Sequence, residues 1–283
     1  VTIASQMPTA VHAPVGIFDS GLGGLSVLRH VRRLLPHEAL VYAADSAFAP
    51  YGGKDEAAVL ARTVAMADFL VAQGVKALVI ACNTATAGAI VEIRRRYPAL
   101  PVVGVEPGLK PAALHTRSGT VGVLATERTL ASRRFIALEA QIAEASAVRF
   151  IGQPCPGLAD QVEKGELRSP ATMALVSRFV EPLIAAGADT LVLGCTHYPF
   201  LSAQIESAAR QAGAASLAII DTGDAVARQL ARLLADHGLL RPPSATPAAI
   251  AAWTTGSASS LGTAMRKLLH LTAPAKRIAE RPD

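Results

Sequence analysis

Two cysteines sit in matching surroundings. Gly74-Val-Lys-Ala-Leu-Val-Ile-Ala-Cys82 and Gly187-Ala-Asp-Thr-Leu-Val-Leu-Gly-Cys195 share one pattern: glycine, three residues, Leu-Val, an aliphatic, a small residue, cysteine. Polar residues follow each thiol, Asn83-Thr84 after the first and Thr196-His197 after the second. A thiol that closes an apolar run where a helix begins is placed for acid–base work, because a helix N-terminus draws its pKa from ~8.5 toward neutrality. A free cysteine is more commonly a small buried hydrophobe; the repeat of the polar flanks argues against that for both at once. Few reactions need two opposed thiols. A metal site would want more ligands than Cys195 and His197, and the chain has no Cys-x-x-Cys, so no metal is expected. A Cys–His hydrolase using Cys195 and His197 would leave Cys82 without a role. Inversion at a stereocentre needs an acid on one face and a base on the other. A thiol and a thiolate supply that pair, and exchanging their roles runs the reaction backwards.

Other residues could serve such a site. Asp19-Ser20-Gly21-Leu22-Gly23-Gly24 lies between a strand pattern and a helix pattern, where glycines allow a tight turn and close approach to a ligand. The third glycine of a dinucleotide fingerprint is replaced by Ser26, so no nicotinamide site is expected. Asp19 reads equally as a helix cap, and Asp221-Thr222-Gly223-Asp224 as a turn and cap. Cys155, between Pro154 and Pro156, reads as structural. No lysine falls in the polar segments beside the thiols or in the glycine turn, and the nearest to a motif is Lys54, just past Pro50-Tyr51-Gly52, so no pyridoxal site and no other cofactor is expected. A cofactor-free enzyme must stabilise a carbanion-like state with preorganised donors in a dry cleft.

The elements that would hold these groups follow from the apolar pattern. Short β-branched runs at 15–19, 39–44, 77–82, 101–105, 120–126, 148–152, 190–195 and 217–221 alternate with helical periods at 25–35, 56–73, 86–97, 130–144, 170–186, 200–212 and 225–237. That rhythm predicts an α/β fold of two similar halves with largely parallel sheets, related by a pseudo-twofold, with the site in the cleft between them. Ligands of such sheets sit at the carboxyl ends of strands, where both cysteines fall. The expected domains are 15–107 plus about 221–271, and 108–220. The termini at 1–14 and 272–283 carry no apolar period and are expected to be mobile. Hydrophobic residues make up 51% and charged residues 17% of 283 residues, which excludes a disordered chain. The three cysteines exclude a disulfide scaffold and suit a reducing compartment. No apolar run reaches the ~18 residues of a membrane span, and residues 1–14 lack the layout of a signal peptide. A cytoplasmic protein is expected. The net charge of +5 is scattered, with Arg32-Arg33 and Arg94-Arg95-Arg96 at helix ends, so no nucleic-acid partner is expected.

Asp-Ser-Gly-Leu-Gly-Gly at 19–24, Pro50-Tyr51-Gly52, Cys82-Asn83-Thr84-Ala85, Glu106-Pro107-Gly108 and Leu193-Gly194-Cys195-Thr196-His197-Tyr198-Pro199 occur in this order. Together they resemble the glutamate racemases, within the cofactor-independent aspartate/glutamate racemase superfamily. The likeness runs from about residue 16 to about residue 239. Phe48 departs from it, standing where many members carry Arg. The resemblance implies that Cys82 exchanges the α-proton on the D-glutamate face and Cys195 on the L-glutamate face. It implies that Asp19 assists the thiol near it and that His197 assists Cys195, both bordering the substrate. Ser20, Asn83, Thr84 and Thr196 would hold the α-carboxylate and ammonium, and Tyr51 and Gly52 would line the pocket. Glu163, in Val162-Glu163-Lys164-Gly165, fits a further acidic residue associated with the second thiol. A homodimer and a role in supplying D-glutamate for peptidoglycan are also implied. An aspartate or hydantoin racemase is the nearest rival. A hydrolase on Cys195 and a non-catalytic binding protein are the rivals of other classes.

Overall fold

The computed structural model describes residues 11–279. Its strands are β1 (Val15–Asp19), β2 (Leu40–Ala44), β3 (Ala77–Ile80), β4 (Val102–Gly104), β5 (Thr120–Ala125), β6 (Arg149–Pro154), β7 (Thr190–Gly194), β8 (Ala218–Ile220), β9 (Ile250–Thr254) and β10 (Ala275–Arg277). Its helices are α1 (Leu25–Leu34), α2 (Glu56–Ala72), α3 (Asn83–Arg96), α4 (Leu109–His115), α5 (Glu127–Ala131), α6 (Arg133–Ser146), α7 (Leu158–Glu163), α8 (Pro170–Ala185), α9 (Ser202–Gln211), α10 (Gly223–Asp236) and α11 (Ala258–Leu269). Strands β1, β2, β3, β5 and β7 are buried along their whole length, which is why they read as unbroken apolar runs.

The strands form two sheets. One has the order β10-β9-β2-β1-β3-β4 and the other β6-β5-β7-β8, and every pairing is parallel. Within the larger sheet, β2-β1-β3-β4 has the same order as β6-β5-β7-β8. The strands that lead to the two cysteines, β3 and β7, therefore hold equivalent places. Residues of α1, α10 and α11 pack on one face of the first sheet, and those of α2 and α3 on the other. On the second sheet α7, α8 and α9 cover one face, and α4 and α6 the other. The chain crosses between the sheets after β4 and returns after β8, and the crossings touch: a Cβ on Gly108 would lie 2.7 Å from Ile220 Cγ2. No described helix is long and apolar enough to cross a membrane.

The helix expected at 130–144 is two helices. Ser132 is extended between α5 and α6, and its Oγ accepts the Phe135 N–H at 3.2 Å, so it ends one helix and caps the next. The short helices α4 and α7 lie below the length at which a 3.6-residue period can be seen. The termini also differ from expectation. Val11, in the N-terminal stretch, is tied down by Lys76 Nζ, which donates to its carbonyl at 2.6 Å. In the C-terminal stretch, Ala275–Arg277 form β10, parallel to β9. Ala252 N–H donates to Pro274 O at 3.2 Å and Ile278 N–H to Thr254 O at 2.8 Å. This is a backbone ladder, which needs no side-chain period to form. Positions 1–10 and 280–283 of the expected mobile termini lie outside the described residues.

Candidate active site

The turn from β3 into α3 places the first thiol. Cys82 is still extended, with φ −131° and ψ 122°, and is the N-cap of α3. Its Sγ accepts the Ala85 N–H at 3.4 Å, one of the amides a helix start leaves free. The thiol donates to Ser20 Oγ at 3.5 Å, across from the end of β1. Beside it, Asp19 is fully buried and accepts the Gly21 N–H at 2.8 Å. Burial raises the Asp19 pKa above the ordinary carboxylate value, against the pull of His197 and of the Gly21 and Gly24 amides.

The second thiol follows β7 at the equivalent place. Cys195 Sγ lies 3.5 Å from His197 Nδ1, and His197 Nε2 lies 2.6 Å from Glu163 Oε1. Glu163, the last residue of α7, also accepts the Leu22 N–H at 2.6 Å. The second sheet's charged pair is thus docked on the glycine turn of the first. Thr196 Oγ1 donates to Asp19 Oδ1 at 3.3 Å, and Ser26 Oγ donates to the Thr196 carbonyl at 2.8 Å, in the same seam.

The glycines of this turn serve close packing. A Cβ on Gly21 would fall inside the Glu163 carboxylate. A Cβ on Gly23 would lie 2.6 Å from His197 Cε1 and 2.7 Å from Thr196 Oγ1. Ser26, which breaks the dinucleotide pattern, is a bridge between the halves.

The two thiols stand in different fields. Burial, joined by the Asp19 charge, pushes Cys82 up to about 12, outweighing the Ser20 hydroxyl and the Ala85 amide. The lowering expected at a helix N-terminus is therefore overturned: in a dry site desolvation wins. Around Cys195 the balance runs toward positive charge. Burial would strip His197 of its proton, but the Cys195 sulfur and the Glu163 carboxylate outweigh it and hold the imidazole well above its ordinary value. Burial likewise works against the Glu163 charge, and His197 with the Leu22 amide still brings that carboxyl below its ordinary range. Cys82 is held as a thiol, while Cys195 faces an imidazolium.

Both sulfurs line one tight cavity of about 10 Å³, roughly the room of one water molecule, together with Ser20, Tyr51, Gly52, Asn83, Thr84, Thr196 and His197. Cys82 and Cys195 are 5% and 6% exposed. Every expected substrate contact except Asp19 is on that wall, and Asp19 stands behind it, bonded to Thr196. The side-chain oxygen and nitrogen of Asn83 are buried without a hydrogen-bond partner. An unpaired buried amide costs about 1–3 kcal/mol, so it marks where a polar ligand would bind. Thr84 Oγ1 reaches Thr126 Oγ1 at 3.1 Å across the cleft. Thr126 was not singled out from the sequence, although its place just after the end of β5 was a usable signal. Cys155 is buried outside this wall, its thiol donating to Gln153 O at 3.2 Å. Among the described residues no group of three or more His, Cys, Asp or Glu side chains is placed to hold a metal ion.

A cavity with a thiol on one side and a sulfur beside an imidazolium on the other can, when that second sulfur is a thiolate, remove a proton from one face of a carbon and return one to the opposite face. The profile of the Asp/Glu/Hydantoin racemase family matches residues 23–230. A glutamate racemase of Ectopseudomonas mendocina is 57% identical over 236 residues, covering 83% of this chain and 88% of its own. The crystal structure of a glutamate racemase isoform from Bacillus anthracis superposes with a TM-score of 0.83 at 30% identity, over 95% of this chain and 98% of its own. An Escherichia coli glutamate racemase, crystallised with L-glutamate and the activator UDP-MurNAc-Ala, does so with a TM-score of 0.77 at 31% identity, over 94% and 97%.

Proposed function

The chain belongs to the Asp/Glu/hydantoin racemase family and is a racemase, and from that premise we propose that it interconverts L- and D-glutamate by passing the α-proton between Cys82 and Cys195. The observation that carries the reading is that both thiols, from equivalent strand ends of two sheets, line one cavity. The family likeness gives Cys195 the L-glutamate face and Cys82 the D-glutamate face, and the His197 imidazole beside Cys195 suits that order. With L-glutamate bound, the Cys195 sulfur, as thiolate, takes the α-proton, and its charge until then is matched by His197. The Cys82 thiol gives its proton to the opposite face, producing D-glutamate and leaving Cys82 as the thiolate. The reverse reaction starts from that state. The α-proton is far less acidic than a thiol, so the carbanion must be stabilised in place. Asn83, Ser20, Thr84 and Thr196 supply donors for the α-carboxylate, and the small exposure of the site keeps water out. Glu163 and Asp19 position the groups that meet substrate, His197 and Thr196. The substrate's size class is read from the relatives, one of which was crystallised with L-glutamate. By the same likeness the enzyme acts in the cytoplasm as a homodimer and supplies D-glutamate for peptidoglycan.

The test is incubation with L- or D-glutamate in deuterated water without added cofactor, following optical rotation and deuterium at Cα, with aspartate in parallel. Loss of rotation with label at Cα is expected for glutamate; faster reaction of aspartate would reassign the substrate. Cys82→Ser and Cys195→Ser should each abolish racemisation. A folded protein that leaves glutamate unlabelled would sink the reading, and full turnover by Cys82→Ser would point to chemistry on Cys195 alone.

A further inference from the structure

We infer that Asp45, Arg62 and Thr255, none of which lines the cavity, form with Tyr51, which does, a positioning cluster that sets the substrate grip of the Pro50–Gly52 lip; the inference rests on the racemase reading above. Asp45 follows β2 and is fully buried. Its N–H donates to the Asp19 carbonyl at 2.9 Å, which fixes it beside the catalytic strand end. Four donors surround its carboxylate. Oδ1 accepts Arg62 Nη2 at 2.7 Å and Thr255 Oγ1 at 2.9 Å; Oδ2 accepts Arg62 Nε at 2.9 Å and the Tyr51 hydroxyl at 2.5 Å. These fill the lone-pair sites of a carboxylate, and the two-point Arg62 contact is the strong, direction-fixing kind.

The donors come from separate parts of the chain. Arg62 is on α2, and its guanidinium lies 3.7 Å over the Phe48 ring, so it grips the turn between Asp45 and Pro50 by charge and by stacking. Thr255 follows β9. It accepts the Ala47 N–H at 3.1 Å, and its own N–H donates to Ala44 O at 3.0 Å, bracing the turn from outside. Tyr51 is the one member of the cluster that reaches the cavity. Because its hydroxyl proton is held by Asp45, the cluster decides where the Tyr51 side chain stands. Gly52, next along, packs on Thr126 of the second sheet, where a Cβ would be 2.8 Å from Cγ2. A loosened Tyr51 therefore also loosens the seam across the cleft. The thiols sit on other elements and would stay in place.

The prediction is a change in grip rather than in chemistry. In Arg62→Met the buried carboxylate keeps two hydroxyl donors and no cation. KM for both enantiomers should rise about tenfold or more, with kcat within about threefold of wild type, since lost ground-state binding raises KM selectively. Arg62→Lys, which restores the charge without the fork, should recover part of the loss. Thr255→Val, nearly the same shape, should raise KM by a smaller factor and keeps the test open if Arg62→Met does not fold. Wild-type KM in folded Arg62→Met or, failing that, in Thr255→Val would overturn the inference. So would kcat falling as far as kcat/KM without rescue by lysine. A wild-type protein that does not racemise glutamate would overturn the underlying reading and this one with it.

Discussion

Replacing Gly23 by alanine adds one methyl group at the place where the two halves meet. Its nearest neighbours would be the His197 ring, with Cε1 at 2.6 Å, and Thr196 Oγ1 at 2.7 Å. Non-bonded carbons are at ease at about 3.5–4.0 Å. The 196–197 segment, or the turn, must therefore retreat by roughly 1 Å, in the direction that separates His197 and Cys195 from the first sheet. A shift of that size in a reacting constellation costs on the order of 10²-fold in rate. The same crowding, counted as overpacking, lowers stability by about 1–3 kcal/mol. For a chain of this size each kcal/mol lowers Tm by roughly 2–4 °C. Racemisation followed by polarimetry should thus show kcat/KM down by about two orders of magnitude, with a Tm loss of several degrees. Gly53→Ala is the internal control, because a Cβ there meets nothing within 4 Å; it should leave both quantities unchanged. Wild-type kcat/KM in Gly23→Ala would refute the claim that the glycine turn exists to admit His197.

Two predictions concern stability. Glu163 titrates below its ordinary value of 4.5 and His197 well above 6.5. The Glu163 contribution is complete above about pH 4.5 and is lost as pH falls through the lower folded value; that of His197 is complete below about pH 6.5 and is lost as pH rises through its raised one. Glu163→Gln should therefore cost about 2–3 kcal/mol in urea unfolding at neutral pH, the cost of breaking a largely buried pair discounted for the 18% exposure of the carboxylate. The deficit should shrink below about pH 4.5, and a constant deficit would show that the bond is not ionic. At the opposite end of the first sheet, Lys76 Nζ meets Glu38 Oε2 at 2.5 Å with both side chains buried, and donates to Leu239 O at 2.8 Å. Lys76→Met should lower unfolding stability by about 3–5 kcal/mol by stranding the carboxylate, while kcat stays at the wild-type value. Lys76→Met combined with Glu38→Leu should recover part of the loss, and no recovery would show that the charge is not the cause.

What could be read from the sequence was what repeats or carries a period. The doubled Gly-to-Cys run marked equivalent strands, and the structure places their cysteines on one wall. The strand positions were legible because buried parallel strands must be apolar throughout. Partners across the cleft were not. Ser26 and Thr126 act through contacts to residues far along the chain, as when Ser26 Oγ donates to the Thr196 carbonyl at 2.8 Å. No local pattern encodes such a pairing. The direction of the Cys82 shift was also hidden: a helix start can be seen in sequence, but the loss of water that overrides it depends on the fold around it. The glycines at 21–24 were visible, but their reason was not, since crowding by His197 and Glu163 comes from residues well over a hundred positions away.

The strand at the C-terminal end of the chain has a consequence for behaviour in solution. Along the described chain β10 is one edge of the larger sheet, opposite β4, and an edge strand offers unpaired backbone to any other extended chain. This one is three residues long and carries Lys276 and Arg277, with the Lys276 ammonium 5.3 Å from the Trp253 ring centre. Short length and cations are what discourage a second chain from adding to such an edge. Behind it β9, Ile-Ala-Ala-Trp-Thr, has no charge and would be a far better template for self-association. The segment with no apolar pattern is thus the one that shields an uncharged strand of that sheet. A protein shortened before Ala275 would carry its whole catalytic wall and still be prone to stick to itself.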